Sequence, residues 1–501
     1  MRNTMKYQAD VVVVGEGLAG LSTALSAAEQ GLKVIIVTAS KGPVGRGGAV
    51  HASYSRLMQE QGYERQEVER FYLEELASQS YQVDQRKWYR FYNRSEEAMN
   101  WIMDHLEGTG IKVVLEISNR DDPESPTNQP VGTHGFMVPG SKLAGSGIKY
   151  ALQVMEDHFK ALGGEVFHQH IARHLVREEQ GDRRVTGVTA EDPEGRNVLF
   201  EAGTAVVLAT GDFSADPEMM QKYCPTFAPY FTNREVNYDA GMITKGLYRG
   251  EGHKMALEAG AAWQKTFPNA VMIQGSRIGS HMPNGSHRGL RLNARGERYC
   301  NEDCNGAYTA ITVLREPEQK AWGIWDQAYA DKLDFYAMGG TRDAKPLTRE
   351  QIFANWENFI KAGRIVKADT LEELFEKIGI PVEKGLAEVR RYNELCEKGI
   401  DEDFHKKPKY LQTIKEGPFY AGILHDFYFL TVLGGPRTNV DMQICDEKDD
   451  PIPGLYGVGT IAGDMFADCY NYRIAGHNYG CCLTFGYLTG RKLAETAHNR
   501  L

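Results

Sequence analysis

Residues 10–37 read DVVVVGEGLAGLSTALSAAEQGLKVIIV, and this stretch decides the fold. Val11, Val12, Val13 and Val14 are four consecutive β-branched residues. A run without alternation predicts a strand buried on both faces. Gly15, Gly17 and Gly20 follow at G-x-G-x-x-G spacing, with Leu18 and Ala19 between the last two. From Leu21 to Ala28 the residues are small or helix-forming, and Gly31 ends the predicted helix. Lys33 to Val37 is then a second strand. Strand, glycine turn, helix and strand within about 30 residues form the unit that binds a dinucleotide. The glycines tighten the turn and let bare N–H groups reach a pyrophosphate at the helix N-terminus.

Outward from this unit, a second glycine cluster runs from Gly42 to Ala49 and includes Gly47 and Gly48. Residues 56–110 carry charges at helical spacing, and a further helix is predicted from Gly140 to Leu162, ended by Gly163 and Gly164. Strands are predicted at 165–167, around 185–189 and 198–201, and at 205–208, the last running into Thr210 and Gly211. The stretch 268–430 differs, with more Trp and Pro, mixed charge and weak periodicity. After it, Leu455 to Gly459 is again a short apolar strand entering a glycine turn, and a glycine-dotted helix spans about Ala475 to Ala494. Nucleotide-type patterns at both ends with a foreign block between them predict an inserted domain. The divisions are 1–267, 268–430 and 431–501.

Composition bounds the function. The 501 residues include 53 glycines, about one in ten against a usual share of about 7%. Ordering glycine costs backbone entropy, so such usage points to tight turns and close approach to a ligand. The net charge is −10, without a basic block, which disfavours nucleic acid as a partner. No run approaches 18 apolar residues, so no membrane insertion is expected. The first ten residues lack an apolar h-region, and the eight cysteines form no paired framework, so a cytoplasmic protein with reduced thiols is expected. Cys300 and Cys304 stand alone at C-x-x-x-C spacing, so no metal or iron–sulfur site is expected and the redox carrier must be something else.

Six segments, in order along nearly the whole chain, resemble the flavoprotein family of fumarate reductase, succinate dehydrogenase and 3-ketosteroid dehydrogenases. They are residues 11–37, GRGGAV at 45–50, VVLATGDFSADPEMM at 206–220, GERYCNE at 296–302, PIPGLYGVGT at 451–460 and YRIAGHNYGCCLTFGYLTGRKLAE at 472–495. The resemblance implies an α/β fold: a Rossmann-like FAD-binding domain with an inserted α+β capping domain over the substrate. It places Gly15, Gly17, Leu18, Ala19 and Gly20 at the pyrophosphate. Gly47, Gly48 and Ala49 would approach the flavin, and Thr210 and Gly211 the AMP half. Thr38, Ala39 and Ser40 would stand at the ribose. Gly459, Thr460, Gly476, Asn478 and Tyr479 would line the isoalloxazine.

Departures from the family pattern narrow the reading. The second strand of this fold usually ends in an acid that binds ribose hydroxyls, and Thr38 stands there instead, so the ribose contacts must be rearranged. Thr460 replaces the common Glu of the PGLYGxGE pattern. No histidine lies between Ser40 and Arg46, where His-linked members carry one, so FAD is expected to be noncovalent. The arginine proton donor of the dicarboxylate reductases falls at Gly306, and their substrate histidine is missing from the segment Leu430 to Gly435. Arg473 matches the arginine of the N-R-L-G-G element. Tyr472 with Gly476 reproduces the Tyr-x-x-x-Gly spacing by which ketosteroid dehydrogenases hold a carbonyl, where a hydroxyl and an N–H stabilise developing enolate charge.

The resemblance thus implies a flavin enzyme for a carbonyl-activated C–C bond, with a small substrate bearing a conjugated carbonyl and an unidentified electron donor or acceptor. The leading expectation is reduction of an enone or enoate. Tyr472 and Arg473 would polarise the carbonyl, and Tyr308, with Asp303 and Cys304 behind it, would be the proton donor. A ketosteroid-type dehydrogenase running in the oxidative direction and an electron-relay subunit of a larger complex are the rivals. Arg473 bracing the pyrophosphate or pairing with an acid, and Tyr472 as a packed aromatic, remain open readings. His134 is expected on a flexible loop, as a surface histidine in preference to one facing the flavin, and His477 is as readily structural as flavin-tuning.

Overall fold

The computed structural model describes residues 5–45, 47–116, 131–141, 144–179, 181, 183–228, 247–274, 289–303, 306–331, 341–342, 344–425, 428–470 and 473–499. Val11–Val14 lie at the C-terminal end of β1 (Met5–Val14), which pairs in parallel with β2 (Val34–Val37) on one side and β9 (Asn197–Leu208) on the other. The order continues to β6 (Glu165–Phe167) beyond β2, and through β17 (Pro451–Gly457) to β16 (Gln443–Cys445) beyond β9. Antiparallel β7 (Ile171–Arg177) and β8 (Val185–Glu191) attach along the first half of β9, completing eight strands.

Both faces of β1 are covered, as its unbroken apolar run requires. Val11 and Val13 pack among the residues of the helices Leu18–Glu29 and His477–His498, whereas Val12 and Val14 join the core with Val188, Phe200 and Met255. The two helices touch backbone to backbone. A Cβ on Gly486 would lie 2.6 Å from the Ala19 carbonyl oxygen, and one on Gly490 would lie 2.5 Å from that of Thr23. Both distances are inside van der Waals contact, so the glycine-dotted sequence of this helix is what brings the two ends of the chain together.

The stretch from 270 to 433 builds two further sheets. β10 (Ala270–Gln274) and β15 (Tyr428–Leu433) form an antiparallel ribbon at its two ends. Between them, β11 (Leu290–Asn293), β12 (Ala321–Asp326), β13 (Ile365–Ala368) and β14 (Phe419–Ile423) form an antiparallel sheet in the order β11-β12-β14-β13, with its own core around Trp325, Trp356 and Tyr420. That core also holds charge. Arg298 bridges Glu302 at 2.8 Å and Asp401 at 2.7 Å, and Lys406 lies 3.4 Å from Glu302, all four side chains at most 3% exposed. The pairing holds Asp401 down to about 2, by hydrogen bonds from Arg298 and from nearby N–H groups against the opposing effect of burial. The GERYCNE segment is thus a brace, since a buried charge is tolerated only when paired.

Three sequence expectations change. Residues 198–201 and 205–208 are one twelve-residue strand, not two, because Ala202 still pairs with Ala9 and the strand runs through a bulge at Gly203 and Thr204 to Ala205, which pairs with Val11. β7 was not expected at all. His134 lies on neither a loop nor the surface: it sits in β5 (Thr133–Met137), the central strand of a small sheet with β3 (Ala49–His51) and β4 (Lys112–Leu115). It is fully buried, bonded to Ser55 Oγ at 2.8 Å and to the Gly132 carbonyl at 2.7 Å.

Candidate functional site

One cavity opens at the carboxyl ends of β1, β2, β9 and β17, where an open α/β sheet binds ligands. Two helix N-termini face it. Gly17 precedes the helix Leu18–Glu29, and Gly476 precedes the helix His477–His498; neither supplies a capping side chain. Gly17, Leu18 and Ala19 line the cavity from the first helix, and Gly476, Asn478 and Tyr479 from the second. N-terminal N–H groups at the start of the first helix, with no capping side chain and backed by the helix dipole, suit an anion. The glycine turn cannot be filled. Gly15 has φ +111°, and a Cβ on Gly20 would overlap the Gly15 carbonyl oxygen.

Around these ends the other expected residues gather. Thr38, Ala39 and Ser40 line the cavity beside β2, Gly47, Gly48 and Ala49 at β3, Thr210 and Gly211 beyond β9, and Thr460 beyond β17. Gly459 lies between two lining residues, Val458 and Thr460, and Gly20 packs against the turn from behind. The Thr38 and Ser40 hydroxyls are 2.7 Å apart. Near β17, Asn478 Nδ2 donates to Thr460 Oγ1 at 3.4 Å, and the Asn478 N–H donates to the Tyr470 hydroxyl at 3.4 Å.

Other lining residues lie outside the expected cofactor contacts, and of these only Leu430 and Thr431 were singled out in the sequence, as the segment that lacks a substrate histidine. Met272 comes from β10, Leu430 and Thr431 from β15, and His170, Ile171 and Ala172 from the start of β7 and the turn before it. Asp212, 1% exposed, joins the turn after β9 to β15. One of its oxygens accepts from Ser214 N and Oγ at 3.0 and 2.8 Å, and the other from Thr431 Oγ1 at 2.5 Å and Val432 N at 3.1 Å. Glu16, between two of the fingerprint glycines, also lines the cavity.

The candidate catalytic residues are less fully placed. Tyr472 lies outside the described residues. Tyr308 is carried by the helix Gly306–Val313. Arg473 is ion-paired through Nη2 with Glu74 of the helix Val68–Ser78. His477 is 1% exposed and packed edge-on against Trp88, with ring centroids 4.3 Å apart, and against Phe91 and Phe466. Burial holds it neutral, well below the usual histidine range, so its place is a packing one. Burial likewise lowers His134 to about 4.

Residues 10–472 match the FAD-binding domain family. The chain belongs to that family. Over 522 residues the flavoprotein is 26% identical to vinyl phenol reductase of Lactiplantibacillus plantarum, covering 98% of this chain and 97% of that one. It is also 26% identical to 3-oxosteroid 1-dehydrogenase of Mycolicibacterium smegmatis, covering 97% of each. Among solved structures, 3-ketosteroid-Δ4-(5α)-dehydrogenase of Rhodococcus jostii matches with a TM-score of 0.76 at 23% identity, over 99% of this chain and 98% of that one, and supports the fold.

The cavity fits FAD, which is the cofactor of this family. The uncapped first helix and the glycine turn would take the pyrophosphate. The neutral edge of Thr38, Ala39 and Ser40 would take the ribose, and the second helix N-terminus with Asn478 and Thr460 the isoalloxazine. Among the described residues, no helix is long and apolar enough to cross a membrane.

Proposed function

We propose that this FAD-dependent oxidoreductase reduces the C=C bond of a substrate conjugated to a neutral carbonyl, an enone in preference to a dicarboxylate. The observation that carries the reading is the engagement of Thr431. In the segment where the dicarboxylate enzymes present a histidine, this chain has a threonine whose hydroxyl is already donated to Asp212. None of the described residues lining the cavity is Lys or Arg. A second carboxylate would thus meet Leu430, Thr431 and Met272, whereas an uncharged enone suits such a surface.

Bound FAD supplies the hydride. The residues of this chain orient the alkene and manage charge. Tyr472, Arg473 and the Gly476 N–H are assigned to the substrate carbonyl, with Glu74 holding the guanidinium by Nη2. Enolate charge builds on that oxygen as the hydride arrives, so donors fixed there lower the barrier. Tyr308 is assigned the proton for the α-carbon. The second helix N-terminus, aimed at the cavity beside Asn478, favours negative charge on the reduced cofactor. Residues 268–430 are assigned to a capping unit between the FAD-binding parts 1–267 and 431–501, with the β10–β15 ribbon at its base. FAD is held without a covalent link. The seven described cysteines, none of them in a disulfide, suit a cytoplasmic location.

The near-full-length likeness to a 3-oxosteroid dehydrogenase favours the oxidative direction as the second reading. One experiment separates the two. Reduced and oxidised protein are each mixed anaerobically with a panel of enones, enoates and saturated ketones while flavin absorbance is followed. The proposal expects fast reoxidation of the reduced form by an enone. Fast bleaching of the oxidised form by a saturated ketone, with no enone active, would replace it with the second reading.

A further inference from the structure

The end of β2 lacks the acid that normally binds the adenosine ribose, yet a carboxyl group stands next to that place. Glu16 occupies the variable position between Gly15 and Gly17, lines the FAD cavity, and is 2% exposed. Its Oε2 is 3.5 Å from Ser40 Oγ, and Ser40 Oγ is 2.7 Å from Thr38 Oγ1. The side chain thus reaches, from the glycine turn, the strand end where the missing acid would stand. On its other side the carboxyl group is fixed. His168 Nε2 lies 3.2 Å from Oε1 and 3.1 Å from Oε2. Glu156, itself buried and ion-paired with Lys160, stands beside it. We propose that the Glu16 carboxyl group binds the ribose hydroxyls of the adenosine half of FAD, taking over the role that Thr38 cannot fill.

The protonation state fits this role. Burial, and then the neighbouring Glu156, push Glu16 up to about 8. At neutral pH it holds a proton, hydrogen-bonded toward Glu156, and its second oxygen remains an acceptor. A ribose hydroxyl can donate to that oxygen without a buried bare charge, which matters because Lys160 balances only one of the two carboxylates. The same geometry predicts that an amide can stand in: glutamine keeps an acceptor oxygen toward the ribose and gives its NH₂ to Glu156.

The test compares the dissociation constants of FAD and of an FAD analogue built on 2′,3′-dideoxyadenosine. The full-length protein is used, with flavin fluorescence as the readout. Wild type is expected to bind the analogue about tenfold more weakly, the usual loss when a buried acceptor is left unpaired. Glu16→Met fills the same space without an acceptor and should bind both flavins alike. Glu16→Gln should keep most of the wild-type preference. If wild type does not distinguish the two flavins, the ribose hydroxyls are not held and the proposal falls. It falls equally if Glu16→Met distinguishes them as wild type does, because Glu16 then acts only as a brace for His168 and Glu156.

Discussion

Asp212→Asn should destabilise the protein by about 2–4 kcal/mol, and the figure follows from its four donors. The wild-type carboxylate accepts two hydrogen bonds on each oxygen, one from a backbone N–H and one from a hydroxyl in each case. An asparagine keeps one acceptor oxygen and turns an NH₂ toward the other pair. The hydroxyl of that pair can rotate to accept, but its backbone N–H, that of Ser214 or Val432, is left facing a donor. An unsatisfied buried N–H costs about 1–3 kcal/mol, and the bonds that survive lose their charge-assisted strength. Thr431→Val deletes one donor at nearly constant volume and should cost about 1 kcal/mol. The assay is urea unfolding of wild type, both single variants and the double variant, followed by tryptophan fluorescence. Because the two groups touch, the double variant should fall short of the summed costs by about 0.5 kcal/mol or more. Asp212→Asn within about 0.5 kcal/mol of wild type, or additive single costs, would refute this account of the cavity wall.

FAD should leave with the supernatant when the protein is precipitated in acid; flavin retained in the pellet would show a covalent link. Tyr472→Phe should slow reoxidation by the best substrate about 100–1000-fold at saturation with FAD content unchanged, and a rate within about threefold of wild type would remove Tyr472 from the oxyanion site. Burial lowers His51 to about 3 and His134 and His253 to about 4, so unfolded chains take up protons near 6.5 that the folded chain refuses, and stability should fall as pH drops from 6.5 toward 4. Glu16 acts in the opposite sense: its folded state keeps a proton that the unfolded state releases above about 4.5, so stability should also fall as pH rises from 6.5 to 8. Urea midpoints across pH 4–8 check both limbs, and Glu16→Gln should flatten the alkaline one.

The dinucleotide unit was legible because its signals are local. Four valines demand burial on both faces, and the glycine spacing leaves one turn geometry. The helix after Gly476 was legible for the same reason, although its tight contact with Ala19 and Thr23 depends on a partner more than 450 residues away in sequence. β7 was hidden because its sequence, IARHLVR, mixes charge into an edge strand that one neighbour pairs. The 268–430 block resisted periodicity analysis because its core includes Arg298, Glu302, Asp401 and Lys406, residues that a hydropathy pattern assigns to the surface. His134 misled in the same way, since burial of a neutral imidazole depends on Ser55 and the Gly132 carbonyl, neither of which marks the strand. The family motifs marked most of the cavity. Glu16 and Asp212 were missed because the motifs leave their roles open, and each becomes meaningful only once Ser40, His168 and Thr431 are seen around them.

The most direct test of the proposed chemistry is a matched pair of anaerobic stopped-flow traces on the photoreduced protein. One trace uses fumarate, the other the best carbonyl-conjugated alkene from the panel, both at saturation. The account predicts rapid return of the oxidised flavin spectrum with the neutral enone and flavin that stays reduced on the same timescale with fumarate. Reoxidation by fumarate at a rate comparable to the enone would contradict it, because the Asp212-bound Thr431 and a described cavity wall without Lys or Arg would then be no barrier to a second carboxylate.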